Sequence, residues 1–220
     1  MLQSSTIKFL KDLKKNNNKP WFDTHRPVYE IARKDFEQFI QSVIEKHSKK
    51  DPTINDLAAK SCLFRINRDV RFSKDKSPYK TNFGASINRG GKKACTAGYY
   101  FHLEPGNSFA GGGIWMPMTE DLKKIRQEID YNPGVFKKII GANKFKSVYG
   151  ELSRDSEYLL NRVPKGYKPD NPAAEYLKLK SFIALTVLKD TELSSKDLVK
   201  KTLASFEALQ PLIDFINQAL

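Results

Sequence analysis

The residues richest in chemistry lie between Arg65 and Lys80. Six basic side chains, Arg65, Arg68, Arg71, Lys74, Lys76 and Lys80, stand against two carboxylates, Asp69 and Asp75. Guanidinium forks bind carboxylate or phosphate oxygens in pairs, and an ammonium adds a point charge, so the segment is equipped for anions. Residues 62–72 also alternate. Cys62, Phe64, Ile66, Val70 and Phe72 fall on one side, and Leu63, Arg65, Asn67, Asp69 and Arg71 on the other. A period of two predicts a strand. In that strand Arg65 and Arg71 share a face with Asp69, while Arg68 turns toward a more buried layer and needs a partner there.

Three further strands would extend that face. Residues 81–88 put Phe83, Ala85 and Ile87 opposite Asn82, Gly84, Ser86 and Asn88. Residues 98–104 put Tyr99, Phe101 and Leu103 opposite Tyr100, His102 and Glu104. "FAGGGIWMP" reads as a fourth. Short turns between them predict an antiparallel meander. Its polar face then carries Arg65, Asn67, Asp69 and Arg71, next to small Gly84 and Ser86, next to Tyr100, His102 and Glu104. The small residues leave a hollow between two polar rows. Lys76, Tyr79 and Lys80 could close over it.

Two uses of this face compete. It holds a small anionic, phosphorylated ligand through Arg65, Arg68, Arg71, Lys76, Tyr79 and Tyr100, or its arginines pair with Asp69, Glu104 and helix carboxylates as a structural network. The candidate catalytic groups are Asp69, His102 and Glu104. A carboxylate–imidazole pair at i and i+2 on a strand can move a proton or contribute to a metal site, although a hydrogen-bonded histidine in a polar layer is the commoner case. No metal motif is present. "GGG" (111–113) resembles a phosphate cradle only superficially, because the lysine and serine spacing of a P-loop is missing. His25 and His47 read as surface residues of a helix. No cofactor and no oligomeric state can be read from these residues.

The elements that must position the face are helical. Residues 5–15 carry Ile7, Leu10 and Leu13 at a spacing of three. A long helix is predicted over roughly 26–48, with Val28, Ile31, Phe36, Phe39, Ile40, Val43 and Ile44 as its apolar stripe. Helices follow Thr119 and Pro133, "NPAAEYLKLKS" reads as helical, and a last helix occupies the final 25 residues. "FIALTVL" (182–188) is either a buried strand or a helix continuation. Helices, then strands, then helices give an α+β class: a mostly antiparallel sheet of four to five strands flanked by N- and C-terminal helices, in one domain over residues 1–220.

The chain of 220 residues has a net charge of +13. Such a charge attracts polyanions. Nucleic acid is the rival partner, but no helix-turn-helix, zinc-finger or RNP signature supports it. A non-catalytic protein-interaction module is the third class. Two unpaired cysteines, no apolar run of signal-peptide length and no membrane-length segment point to a soluble cytoplasmic protein.

Across Arg65, Arg68, Asp69, Arg71, Phe72, Asp75, Lys76 and Tyr79 the chain resembles a bacterial family of uncharacterised proteins, a domain of unknown function, with the motif R-x-x-R-D-x-R-F…D-K-x-x-Y. The likeness extends to "NNNKPWFDTHRPVYE", "GYYFHLEPGNSFAGGGIW" and "PKGYKPDNPAAEYLKLKSF". Asn171 stands where that family favours histidine, which weakens any histidine-based site there. The resemblance implies which residues belong together and no activity.

Overall fold

Apolar spacing decides the long helices. The computed structural model describes residues 1–220. It opens with α1 (Ser4–Lys15), α2 (Lys19–Thr24) and α3 (Arg26–His47). Ile7, Leu10 and Leu13 of α1 are buried, as are Phe36, Phe39, Ile40, Val43 and Ile44 of α3. The stripe of α3 starts later than its periodicity indicates, because Val28 and Ile31 in its first two turns are exposed. A short α4 (Ala59–Cys62) precedes three strands, β1 (Phe83–Ile87), β2 (Gly98–Leu103) and β3 (Ser108–Ile114). Then come α5 (Thr119–Tyr131), α6 (Pro133–Gly141), α7 (Asn143–Tyr149), α8 (Ala174–Leu177), β4 (Phe182–Leu188), α9 (Asp190–Leu193) and α10 (Leu198–Ala219). Residues 182–188 are thus a strand. The helix expected across "NPAAEYLKLKS" shrinks to the four residues of α8.

The class is α+β, with one antiparallel sheet in the order β1-β2-β3-β4. Its register places Ser86 opposite Tyr100 and Tyr100 opposite Gly111, which in turn faces Leu185. One face is core. Phe83 stacks on Phe36 at 5.5 Å, Phe101 meets Phe39 at 4.8 Å, and Tyr99 stacks on Phe206 of α10 at 4.7 Å. These contacts belong to one cluster of 47 buried apolar residues. The other face presents Gly84, Ser86, Tyr100, His102, Phe109, Gly111, Gly113, Ile183 and Leu185 by strand alternation. No helix is long and apolar enough to cross a membrane.

The strand expected at residues 62–72 does not form. Only isolated bridges mark it, Leu63 with Ala85 and Asn67 with Tyr79. The residues that bury are Cys62, Leu63 and Ile66, not every second one, and Phe72 is 95% exposed. Past Ile66 too little apolar surface is buried to offset the entropy of extending the chain along β1. The segment crosses the edge of β1 and leaves as a loop. The predicted common face for Arg65, Asp69 and Arg71 therefore does not exist.

Candidate functional site

A cleft of about 710 Å³ opens on the non-core face of the sheet. Its floor is built by β2 and β3. Tyr100 and His102 project from β2, and Phe109 stacks on the His102 ring at 4.6 Å. Beside them the floor is bare backbone. A Cβ at Gly111 would lie 2.1 Å from the Ala184 carbonyl oxygen, and one at Gly113 would lie 2.0 Å from that of Phe182. Only glycine lets β3 lie this close to the β4 backbone, and Gly113 leaves a stretch of the lining without a side chain.

Tyr100, His102 and Glu104 form a chain of contacts. The Tyr100 hydroxyl lies 3.2 Å from His102 Nδ1, and His102 Nε2 lies 3.4 Å from Glu104 Oε2. The tautomer that satisfies both contacts has Nε2–H donating to Glu104 and Nδ1 accepting from the Tyr100 hydroxyl. Burial lowers the His102 pKa from its ordinary value of 6.5, and the Glu104 carboxylate opposes that shift. Burial pushes the Tyr100 phenol up to about 12. Burial also works against the Glu104 carboxylate, but hydrogen bonds from Asn107, His102 and Thr81 outweigh it and hold its pKa below 4.5. A neutral imidazole beside an ionised carboxylate and a protonated phenol is a unit that can take up or pass on a proton. Gly84 makes room for it, since a Cβ there would lie 2.5 Å from the Tyr100 hydroxyl.

The walls differ in character. On the β1 side stand two ammonium groups. Lys80 lies over the Phe64 ring at 5.3 Å, and Lys92 donates to the Leu63 carbonyl. Burial lowers the Lys80 pKa, and the Arg65 guanidinium adds to the effect. On the β3–β4 side the lining is Ile183, Leu185, Trp115, Met116 and Met118, with Asp121 from the first turn of α5. Met116 is the one non-glycine residue with positive φ, at 45°, and its N–H donates to the buried Ser181 hydroxyl at 2.9 Å. Such a backbone costs roughly 1–3 kcal/mol and persists because its surroundings impose it.

Over residues 5–215 the sequence matches the family described as "Conserved hypothetical protein (DUF2461)". The chain belongs to this family. No curated protein and no solved structure matches it. DUF2461 carries no activity in that description, so the cleft's chemistry has to come from the cleft's own atoms.

The structure distributes the sequence-derived candidates between cleft and loop. Tyr100 and His102 line the cleft, Glu104 supports His102 from behind, and Lys80 joins the wall. Arg68, Arg71, Asp69 and Lys76 sit in the loop outside it. Arg68 bonds Asp75 and the Ser77 carbonyl across the loop's base, so it has its partner. Arg71 makes a two-pronged pair with Asp69, Nε to Oδ1 at 2.9 Å and Nη2 to Oδ2 at 2.7 Å. Lys76 donates to the Val70 carbonyl at 3.0 Å. Arg65 is exposed and engages no carboxylate. Tyr79 is a core residue, stacked on Phe22 at 3.9 Å. His47, expected at the surface, is buried against Tyr99 and Phe206, because α3 turns its last residue under α10. Asn171 accepts from the Ala173 N–H and bonds Asp130, a structural role.

Sequence reasoning missed Lys92, Phe64, Phe109 and the Trp115–Met118 wall. The signal for the wall was present: "WMPM" is an apolar run broken by proline directly after a glycine strand. The lysines of "GGKK" sit in the turn between two strands whose polar face had already been singled out.

Proposed function

We propose that the cleft binds a small phosphorylated organic molecule. The supporting observation is the pair Lys80 and Lys92, facing a recess whose floor offers the Tyr100 hydroxyl and His102. An ammonium has three donors; Lys92 uses one on Leu63, and Lys80 makes no ion pair. Arg65 adds an unpaired positive charge beside Lys80. Arg71 and Arg68 contribute less, since Asp69 and Asp75 already neutralise them. The Tyr100–His102–Glu104 chain gives the site acid–base capacity, so a bound molecule could also be acted upon. Residues 1–220 serve here as one folding unit, which the shared core supports.

The experiment is a thermal-shift panel of phosphorylated metabolites and matching unphosphorylated compounds, run on the wild type and on Lys80→Ala/Lys92→Ala. Stabilisation by phosphorylated members alone, lost in the double variant, is expected. Equal shifts for both classes, or shifts that survive the double substitution, refute the proposal.

Nucleic acid remains the second reading because of one feature. Phe72 is 95% exposed at the loop tip, with the Arg71 guanidinium over its ring at 5.8 Å. Aromatic and cationic side chains together suit single strands. Micromolar, strongly salt-dependent retention on single-stranded RNA or DNA is its signature. No retention at low salt removes it.

A further inference from the structure

We infer that the cleft's ligand is a phosphate ester carrying a flat heteroaromatic ring with an N–H donor, the chemistry of a nucleoside monophosphate. This rests on the phosphate-binding role proposed for the same cleft and adds the other end of the molecule. Four features of the β3–β4 side carry it.

At Gly112 and Gly113 the cleft is lined by peptide backbone with no side chain of its own. A planar ring can lie against peptide groups there, and a branched aliphatic group gains less from such a surface. Large apolar groups then stand exposed around this floor: Trp115 is 63% exposed, Met116 44% and Met118 71%. An indole face offers stacking, and thioethers make favourable contacts with aromatic rings. The strained Met116 backbone, held by Ser181, fixes that wall in place. Strain of this kind gathers at ligand clamps.

Asp121 supplies polarity and direction. It is the carboxylate in the lining, and it lies on the apolar side, beyond Trp115 and Met118 in the chain. A carboxylate accepts hydrogen bonds only, and Asp121 keeps accepting capacity beside its 3.6 Å ion pair with Lys124 on α5. The ligand therefore points its anionic end at Lys80 and Lys92 and a donor, such as a ring amine, at Asp121. The lysines stand on the β1 side of the cleft and Asp121 on the β3–β4 side. From β1 to β4 there are three strand spacings, about 14 Å, which suits a ring and a phosphate joined through a sugar. Tyr100 and His102 lie between them on β2, within reach of the linking hydroxyls.

The test uses adenosine 5′-monophosphate, adenosine, ribose 5-phosphate and inorganic phosphate as probes. Binding is measured by calorimetry, and ring contact by tryptophan emission. Only two tryptophans exist, and Trp21 is stacked on His25 at 4.0 Å away from the cleft lining, so a change lost in Trp115→Phe reports the ring. The nucleotide is expected to bind at least tenfold more tightly than either half and to quench Trp115. Asp121→Asn is expected to weaken the nucleotide and leave ribose 5-phosphate unchanged. Ribose 5-phosphate binding as tightly as the nucleotide overturns the ring and leaves the phosphate site standing. Adenosine binding as tightly as the nucleotide overturns the phosphate site and with it the ester. No binding by any probe at millimolar concentration overturns both. Circular dichroism melts of each variant separate a lost contact from a lost fold.

Discussion

His47 gives the sharpest check on the packing beneath the sheet. It is 1% exposed, and neither ring nitrogen has a hydrogen-bond partner. Its ring stands edge-on to Tyr99 at 4.6 Å and to Phe206 at 5.6 Å. Burial lowers its pKa from the ordinary 6.5; Asp51 and Glu207 oppose that shift, and Lys50 and Lys144 assist it. The folded state therefore resists protonation more than the unfolded chain does. Below pH 6.5 the unfolded state binds the extra proton, so stability is lost as pH falls toward the folded pKa and is fully present above 6.5. One such proton gives a slope of at most about 1.4 kcal/mol per pH unit.

His47→Leu removes the titration. At pH 7.5 it also relieves an unsatisfied donor, about 1–3 kcal/mol, against lost edge contacts of about 0.5–1.5 kcal/mol. The expected net effect at pH 7.5 runs from about 0.5 kcal/mol against the variant to about 2.5 kcal/mol in its favour. The assay is urea unfolding of both proteins from pH 7.5 to 5.0. Other groups, His102 among them, titrate in both proteins, so the difference between the curves isolates His47. The gap should widen in the variant's favour below pH 6.5. Parallel curves, or a variant weaker by several kcal/mol at pH 7.5, would show that His47 is hydrogen-bonded and refute the reasoning.

Gly84→Ala should push the Tyr100 ring away from His102, because its Cβ would lie 2.5 Å from the hydroxyl; nitrogen chemical shifts of the His102 ring report the change, and an unaltered spectrum contradicts it. Tyr99→Phe removes the 2.8 Å hydrogen bond to the buried Asp51 carboxylate and should cost about 1–3 kcal/mol in chemical unfolding. Arg71→Ala should leave the melting midpoint unchanged within error, since its pair with Asp69 lies in solvent; a marked loss would mean the loop is braced by that pair.

Local periodicity was enough for α1, α3, α10 and the three strands β1 to β3, because each buries residues on one face of a regular element. It also put Tyr100 and His102 together on a polar face next to Gly84 and Ser86, since alternation along paired strands is a local property. It failed at residues 62–72 for a physical reason. Alternation states which side chains would share a face if the segment were extended. It does not state whether a neighbouring strand offers hydrogen bonds over that length, or whether enough apolar surface is buried to hold it.

The location of His47 and the far wall of the cleft lay beyond the sequence for the same reason. Trp115 and Ile183 are 68 positions apart in the chain and meet Lys80 across the sheet only through strand pairing. The amino-acid order determined the elements, the basic balance and the small residues that leave a hollow. Tertiary pairing decided which cations face the hollow, because charge position in space follows from long-range contacts that no local pattern encodes.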